Sequence, residues 1–182
     1  MWGVVLAGGA ARRMGGEKAT ALLAGRPLAA WALDALREAG FERRAVVAKR
    51  DTALPELDVP VWVEPDEPRH PLTGVAYALE RAAGGDVVTV PVDLPLVPAA
   101  LLRELARAQG CAMVRGQPLL ARFAAGTALV PHGRVTEAVL ALGPAMLDAG
   151  PESLLNVNTP ADLAAAEALL NRRGWRSPSC SS

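Results

Sequence analysis

Cysteine is nearly missing from this chain: Cys111 and Cys180 are the only two, one in the body and one near the end. That placement gives no disulfide framework, and the expectation is a reducing, cytoplasmic setting. Net charge is missing too. Nineteen basic side chains balance 19 acidic ones, so no global field draws the protein to nucleic acid or to an anionic membrane, and any polyanion must be met locally. No apolar run reaches the length of a membrane span, and Met1-Trp2-Gly3 enters the first strand without a basic leader, so a soluble, unexported protein is expected. His70 and His132, the only histidines, have no partner at ligand spacing, which argues against a zinc site. No Ser, His and Asp arrangement can be argued, and neither cysteine sits in a basic context that would activate it. Gly-x-Gly-x-x-Gly is absent. Lys18 follows Glu17 and precedes Ala19, where a Walker A loop needs Gly before the lysine and Ser or Thr after it.

What is present begins at Val4. Val4, Val5 and Leu6 read as a buried strand that breaks into a loop carrying Gly8, Gly9, Gly15 and Gly16 with Arg12, Arg13 and Lys18. Gly8 and Gly9 let the backbone adopt positive φ and approach a ligand closely, so that successive N–H groups can face phosphate oxygens. The three cations add charge-assisted hydrogen bonds of about 1.5–3 kcal/mol, against about 1 for a neutral one. A tight turn with a solvated basic face is the simpler alternative. The first-strand position, the glycines and the cations coincide, which favours an anion loop.

The 182 residues suit one buried α/β domain, assigned to 1–170, with the Arg-rich then Ser-rich stretch 171–182 as a disordered tail. Helical spacing is read from Pro27 to Gly40, Leu72 to Ala83, Ala99 to Gln109, Val135 to Leu142 and Ala161 to Leu170. Strands are read at Arg44–Ala48, Val59–Val63, Asp86–Val90, Cys111–Val114, Leu119–Phe123 and Ala145–Leu147, the Gly116-Gln117-Pro118 turn suggesting an antiparallel pair. This alternation predicts a three-layer, Rossmann-like α/β fold with a mixed, mostly parallel sheet, whose ligand sits beyond the carboxyl ends of the strands. The opening loop, Lys49–Asp51, Glu64–Gly74 and Pro91–Pro98 should therefore line one edge.

Asp93 is the leading candidate on that edge after the loop itself. It leaves a buried strand between Pro91 and Pro95, and one fixed carboxylate plus phosphate oxygens is a sufficient Mg²⁺ set. The alternative, a cap for the helix beginning near Pro98, is five residues away. Asp66 either meets the nucleotide or is solvated. Thr73-Gly74 either offers N–H groups to a base or ribose or simply starts a helix. Thr159 reads as an N-cap with Pro160 at the first helical position, but capping does not explain Asn156 and Asn158, which would share a face around Val157 if extended and so suggest a second-substrate contact.

Leu6-Ala7-Gly8-Gly9, Arg13-Met14-Gly15 and Lys18, with Pro71-Leu72-Thr73-Gly74, Pro91-Val92-Asp93-Leu94-Pro95 and Asn156-Val157-Asn158-Thr159-Pro160, resemble the motifs of the molybdenum cofactor guanylyltransferases in the nucleotidyltransferase superfamily. The resemblance spans nearly the whole chain except the tail. It implies Mg²⁺-dependent transfer of GMP from GTP to molybdopterin cofactor, with release of pyrophosphate. It implies further that Leu6, Ala7, Gly8 and Gly9 cradle the nucleotide, that Arg13 and Lys18 hold phosphates, and that Asp93 holds the metal. Asp66 would lie near the guanosine, and Asn156 and Asn158 near the pterin. Cofactor assembly and acceptor proteins are the implied partners.

A phosphate-monoester nucleophile has a second pKa of about 6, so it is largely ionised at neutral pH without a general base. Catalysis then reduces to aligning two polyanions and screening their charge. Three positions depart from the resemblance: Lys49 where relatives tend to have asparagine, His70 where glycine is more usual, and Val92 where cysteine is common. The rivals are a nucleotidyltransferase using CTP or a sugar phosphate, and a non-catalytic nucleotide-binding partner in cofactor assembly.

Overall fold

The short valine-rich runs become the inner strands of one sheet because both of their faces are covered. β1 (Trp2–Leu6) lies between β4 (Arg44–Ala48) and β6 (Val87–Pro91), parallel to both. Val5, Val46, Val88 and Val90 point to one face and Val4, Ala45, Val47 and Val87 to the other, all buried. Each such valine contributes about 1.5–3 kcal/mol by leaving water. The computed structural model describes residues 1–8 and 18–175.

Helices cover the two faces. α1 (Leu28–Glu38), α3 (Ala99–Arg107) and α5 (Pro160–Arg172) pack on the first face, and α2 (Pro71–Arg81) and α4 (Val135–Leu140) on the second. β5 (Val61–Val63), β7 (Ala112–Val114), β8 (Gln117–Phe123) and β9 (Ala145–Leu147) complete the sheet. Its order is β5-β4-β1-β6-β8-β7-β9, with β8 the antiparallel member. The three-layer, mostly parallel architecture read from the sequence is the one observed.

The chain leaves β1 toward β4 and β5, then returns to the other side of β1 to form β6. β1 thus marks the switch point, and its carboxyl end opens the crevice in which α/β proteins bind ligands. Three hydrogen bonds carry the pairing past the strand ends: Ala7 N–H donates to Val47 O at 2.8 Å, Glu64 N–H to Ala48 O at 3.0 Å, and Val92 N–H to Leu6 O at 3.1 Å.

Some bounds differ from the sequence reading: β5 begins at Val61 rather than Val59, and β8 takes in Gln117 and Pro118, which were read as turn. A small hairpin of β2 (Leu22–Leu23) and β3 (Arg26–Pro27) precedes α1; strands this short show no periodicity. Asn171, where the tail was expected to start, is still helical: α5 continues through Arg172, and the Trp175 ring packs on Trp31 with centroids 4.9 Å apart. Residues 176–182 lie outside the described residues.

Candidate active site

Asp93 lies just past β6, and its backbone carbonyl accepts from Val157 N–H at 2.8 Å. This bond joins the β6 loop to the segment before α5. Val157 is fully buried, so the asparagines on either side are carried to the sheet edge. Lys18 closes the group: its Nζ is 2.9 Å from Asp93 Oδ2 and 2.6 Å from Asn158 Oδ1. Both charged side chains are largely enclosed, Lys18 14% and Asp93 24% exposed, so water screens the pair less than it would a surface pair. The helix-cap alternative for Asp93 fails. α3 starts after Pro98 without a side-chain cap, and the Asp93 carboxylate faces Lys18 instead.

Asn158 is held from behind by an acceptor that the sequence reading passed over. Asp162 Oδ2 accepts from Asn158 N–H at 2.9 Å and from Thr159 N–H at 2.8 Å, while Asp162 N–H donates to Thr159 Oγ1 at 3.2 Å. This is a capping box with Pro160 in the first turn. Asp162 is pulled below the usual carboxylate range, first by the bond from Asn158 N–H and then by Thr159. The signal was in the sequence: Thr159 followed three residues later by an acid. Asn156 lies on the same approach and donates to Leu154 O at 3.5 Å.

The other side of the crevice is built around Glu64, at the end of β5. Its side chain is 5% exposed and lies between the loop after β1 and the first turn of α2. A Cβ on Gly8 would overlap Glu64 Oε1 and lie 3.2 Å from its Cδ; a Cβ on Gly74 would stand 3.0 Å from Oε2. Of the two reasons expected for glycine at position 8, positive φ and close approach to a ligand, the structure corrects the first. Neither Gly8 nor Gly74 has such a φ; both leave room for one carboxyl group. Glu64 Oε2 is buried without a hydrogen-bond partner among the described residues, an arrangement that costs on the order of 1–3 kcal/mol. Burial pushes the Glu64 pKa up, and the nearby Lys49 ammonium opposes the rise.

Lys49 and Lys18 are the only lysines in the chain, and both serve this edge. Lys49 Nζ is 3.6 Å from Glu64 Oε1 and donates to the carbonyls of Pro65 and, at 3.4 Å, Asp66. Lys49 is thus a cation committed to its own β5 loop. Asp66 itself is exposed. Thr73 Oγ1 donates to Pro68 O at 2.7 Å and Gly74 is buried, so this pair ties down the start of α2. His70 is the N-cap of α2: Nδ1 accepts from Leu72 N–H at 3.2 Å and Nε2 meets Gly133 O at 2.9 Å. Val92 is packed in the core.

The structure therefore brings together Lys18, Asp93 and Asn158, with Leu6, Ala7 and Gly8 entering from β1 and Asn156 alongside. Asp66 joins the edge through its backbone. Gly9 and Arg13 lie outside the described residues. Among the described residues, no group of three or more His, Cys, Asp or Glu side chains could hold a metal ion. A lone hard carboxylate suits Mg²⁺ that arrives on phosphate oxygens better than it suits a dedicated protein cage. Nor is any described helix long and apolar enough to cross a membrane.

Solved nucleotidyltransferases share this fold. A nucleotidyl transferase from Methanothermobacter superposes with a TM-score of 0.80 at 21% identity, covering 94% of this chain and 98% of that one. The 2-C-methyl-D-erythritol 4-phosphate cytidylyltransferase from Thermus thermophilus gives 0.69 at 20% identity, covering 92% and 98%. The profile of the MobA-like NTP transferase domain matches residues 3–161, and the chain belongs to that family. It is 37% identical to a molybdenum cofactor guanylyltransferase of Cereibacter sphaeroides, over 94% of this chain and 98% of that protein. It is 32% identical to one of Rhodobacter capsulatus, over 93% and 96%.

Proposed function

We propose that this nucleotidyltransferase transfers GMP from GTP to the terminal phosphate of molybdopterin cofactor, forming the guanine dinucleotide cofactor and releasing pyrophosphate. The observation that carries the reading is the double contact of Lys18, whose ammonium bonds Asp93 at 2.9 Å and Asn158 at 2.6 Å. One cation thus stands between the carboxylate assigned to the nucleotide and the asparagine assigned to the acceptor. In this reading Leu6, Ala7, Gly8 and Gly9 cradle the nucleotide. Arg13 and Lys18 hold phosphates, Asp66 lies near the guanosine, and Asn156 and Asn158 orient the pterin.

The acceptor phosphate attacks the α-phosphorus of GTP; the bond to the β-phosphate oxygen breaks, and pyrophosphate leaves with those electrons. No proton has to be removed from an ionised acceptor, which fits a site without a histidine base. Lys18 screens the two polyanions and holds them in line. Mg²⁺, which Asp93 would hold, supplies further neutralisation of phosphate charge when bound. Lys49 stays with Glu64 and the β5 loop rather than with phosphate.

The test is turnover of GTP, CTP and ATP with molybdopterin and Mg²⁺, scored as pyrophosphate. GTP is expected to lead by at least about tenfold. A preference for CTP would move the chain to the cytidylyl relatives, and binding without turnover of any nucleotide would make it a non-catalytic partner. The assembly and acceptor proteins expected from the sequence would then be sought as takers of the product.

A further inference from the structure

Two glycines of the sequence motifs, Gly8 and Gly74, are 66 positions apart, and neither is required by its backbone angles. What they share is the Glu64 carboxyl. It fills the space in which a Cβ of Gly8 would stand, and its other oxygen is 3.0 Å from where a Cβ of Gly74 would be. Lys49 approaches Oε1 at 3.6 Å and holds the following Pro65 and Asp66 carbonyls. The backbone on either side is pinned, by Ala7 N–H to Val47 O at 2.8 Å and by Glu64 N–H to Ala48 O at 3.0 Å. The carboxyl thus meets two strand-end loops, those after β1 and β4, and one helix start, all on the edge where the nucleotide is assigned. A group so buried, with one oxygen unpartnered among the described residues, is poor value as a stability element alone.

We propose that Glu64 is a positioning residue of the nucleotide site: wedged between Gly8 and Gly74 and held by Lys49, its carboxyl fixes where the Gly8 backbone stands above the sheet edge. It acts through the loop and does not touch the nucleotide. The inference rests on the reading of Gly8 as part of the nucleotide cradle. Because the wedge is steric, Gly8 and Glu64 are coupled: a methyl group at position 8 harms the site only while the carboxyl is there to meet it.

The test uses the full chain carrying Gly8→Ala, Glu64→Ala and both together, with Mg-GTP affinity, the KM for GTP and the melting temperature as readouts. Gly8→Ala alone is expected to weaken Mg-GTP binding by about tenfold or more and to lower the melting temperature, as overpacking does. In the Glu64→Ala background the same substitution should cost less than about threefold in affinity and leave the melting temperature nearly unmoved. Equal penalties in both backgrounds would overturn the proposal. Glu64→Gln keeps the shape without the charge. It should hold the KM for GTP within about threefold of wild type and preserve the Gly8→Ala penalty; a loss of about tenfold or more would mean that the charge contacts the nucleotide directly. Should Glu64→Ala not fold, Gly74→Ala decides in its place: its melting temperature should recover when paired with Glu64→Ser, and no recovery counts against the wedge. The melting temperatures are independent of what the enzyme binds. A wild type that ignores GTP, together with coupled melting temperatures, would sink the substrate assignment and leave the wedge standing.

Discussion

The Lys18 ammonium stands 2.9 Å from the Asp93 carboxylate, across 75 positions of sequence, and the same nitrogen reaches Asn158 at 2.6 Å. An ammonium has three N–H donors, and the bonds to described residues use two of them, which leaves one for phosphate. Replacing Lys18 by methionine keeps a stem of similar length and removes the charge. Turnover, measured as pyrophosphate release at saturating GTP, is expected to fall by about 100- to 1,000-fold, the usual loss when one preorganised charge is taken from a transition state. Lys18→Arg should not restore it, because a planar fork cannot reproduce the contacts of a compact ammonium. A loss under about fivefold would remove Lys18 from the chemistry.

Asn158 depends on Asp162, whose carboxylate accepts from the N–H groups of Asn158 and Thr159. Asp162→Ala leaves the nucleotide half untouched and loosens the acceptor half. The KM for molybdopterin should rise by about three- to tenfold while the KM for GTP stays within about twofold. The bonds to the charged form hold the Asp162 pKa below its ordinary 3.8. Its contribution is therefore complete above that value and is lost only as pH falls through the lowered one. The contrast with wild type should be flat between about pH 6 and 8. An equal rise in both KM values would show that the capping box serves the whole fold instead.

Glu64 has the opposite sign. Burial raises its pKa from 4.5, so the folded protein takes up this proton more readily than the unfolded chain does. The resulting penalty is absent well below pH 4.5, grows as pH rises from there through the raised folded value, and is constant above it. Glu64→Gln removes that ionisation. Its melting temperature should gain on wild type as pH is raised through this window and then hold a fixed lead. Wild type gaining on the variant instead would mean that Lys49 outweighs burial and the carboxylate is stabilised where it lies.

Much of this architecture could be read from the chain because the strands are valine runs buried on both faces, and the helices between them carry apolar residues at helical spacing. Arg44–Ala48 and Ala145–Leu147 begin and end where expected. The edge residues Asp93, Lys18 and Asn158 were also legible, since each lies beside a motif that ends a strand or starts a helix. Glu64 was not. Its meaning comes from Gly8 and Gly74, which approach it from two other elements, and a glycine placed to make room for a distant side chain looks in sequence like any other turn glycine. Lys49 stood in the sequence only as a departure from the resemblance, and the fold shows the Pro65 and Asp66 carbonyls that it meets.

Trp175 shows where composition misleads. The stretch from Asn171 is rich in arginine and serine, the pattern of a solvated tail, yet the indole packs on Trp31 at 4.9 Å and 52°. Trp31 also donates its Nε1–H to Leu23 O at 3.0 Å and lies under the Arg26 guanidinium at 5.1 Å, so this corner joins the small hairpin, α1 and the end of α5. Such tilted ring pairs add about 0.5–1.5 kcal/mol beyond the area they bury. Trp175→Ala should cost at least about 1 kcal/mol and lower the melting temperature by roughly 2–4 °C in a chain of this size. Trp175→Phe should recover part of the loss, since a ring face remains. The KM for GTP should stay within about twofold in both variants, because the pair lies apart from the Lys18 group. A melting temperature unchanged by the alanine substitution would show that the indole leaves Trp31 in solution and return this end of the chain to the tail that its composition describes.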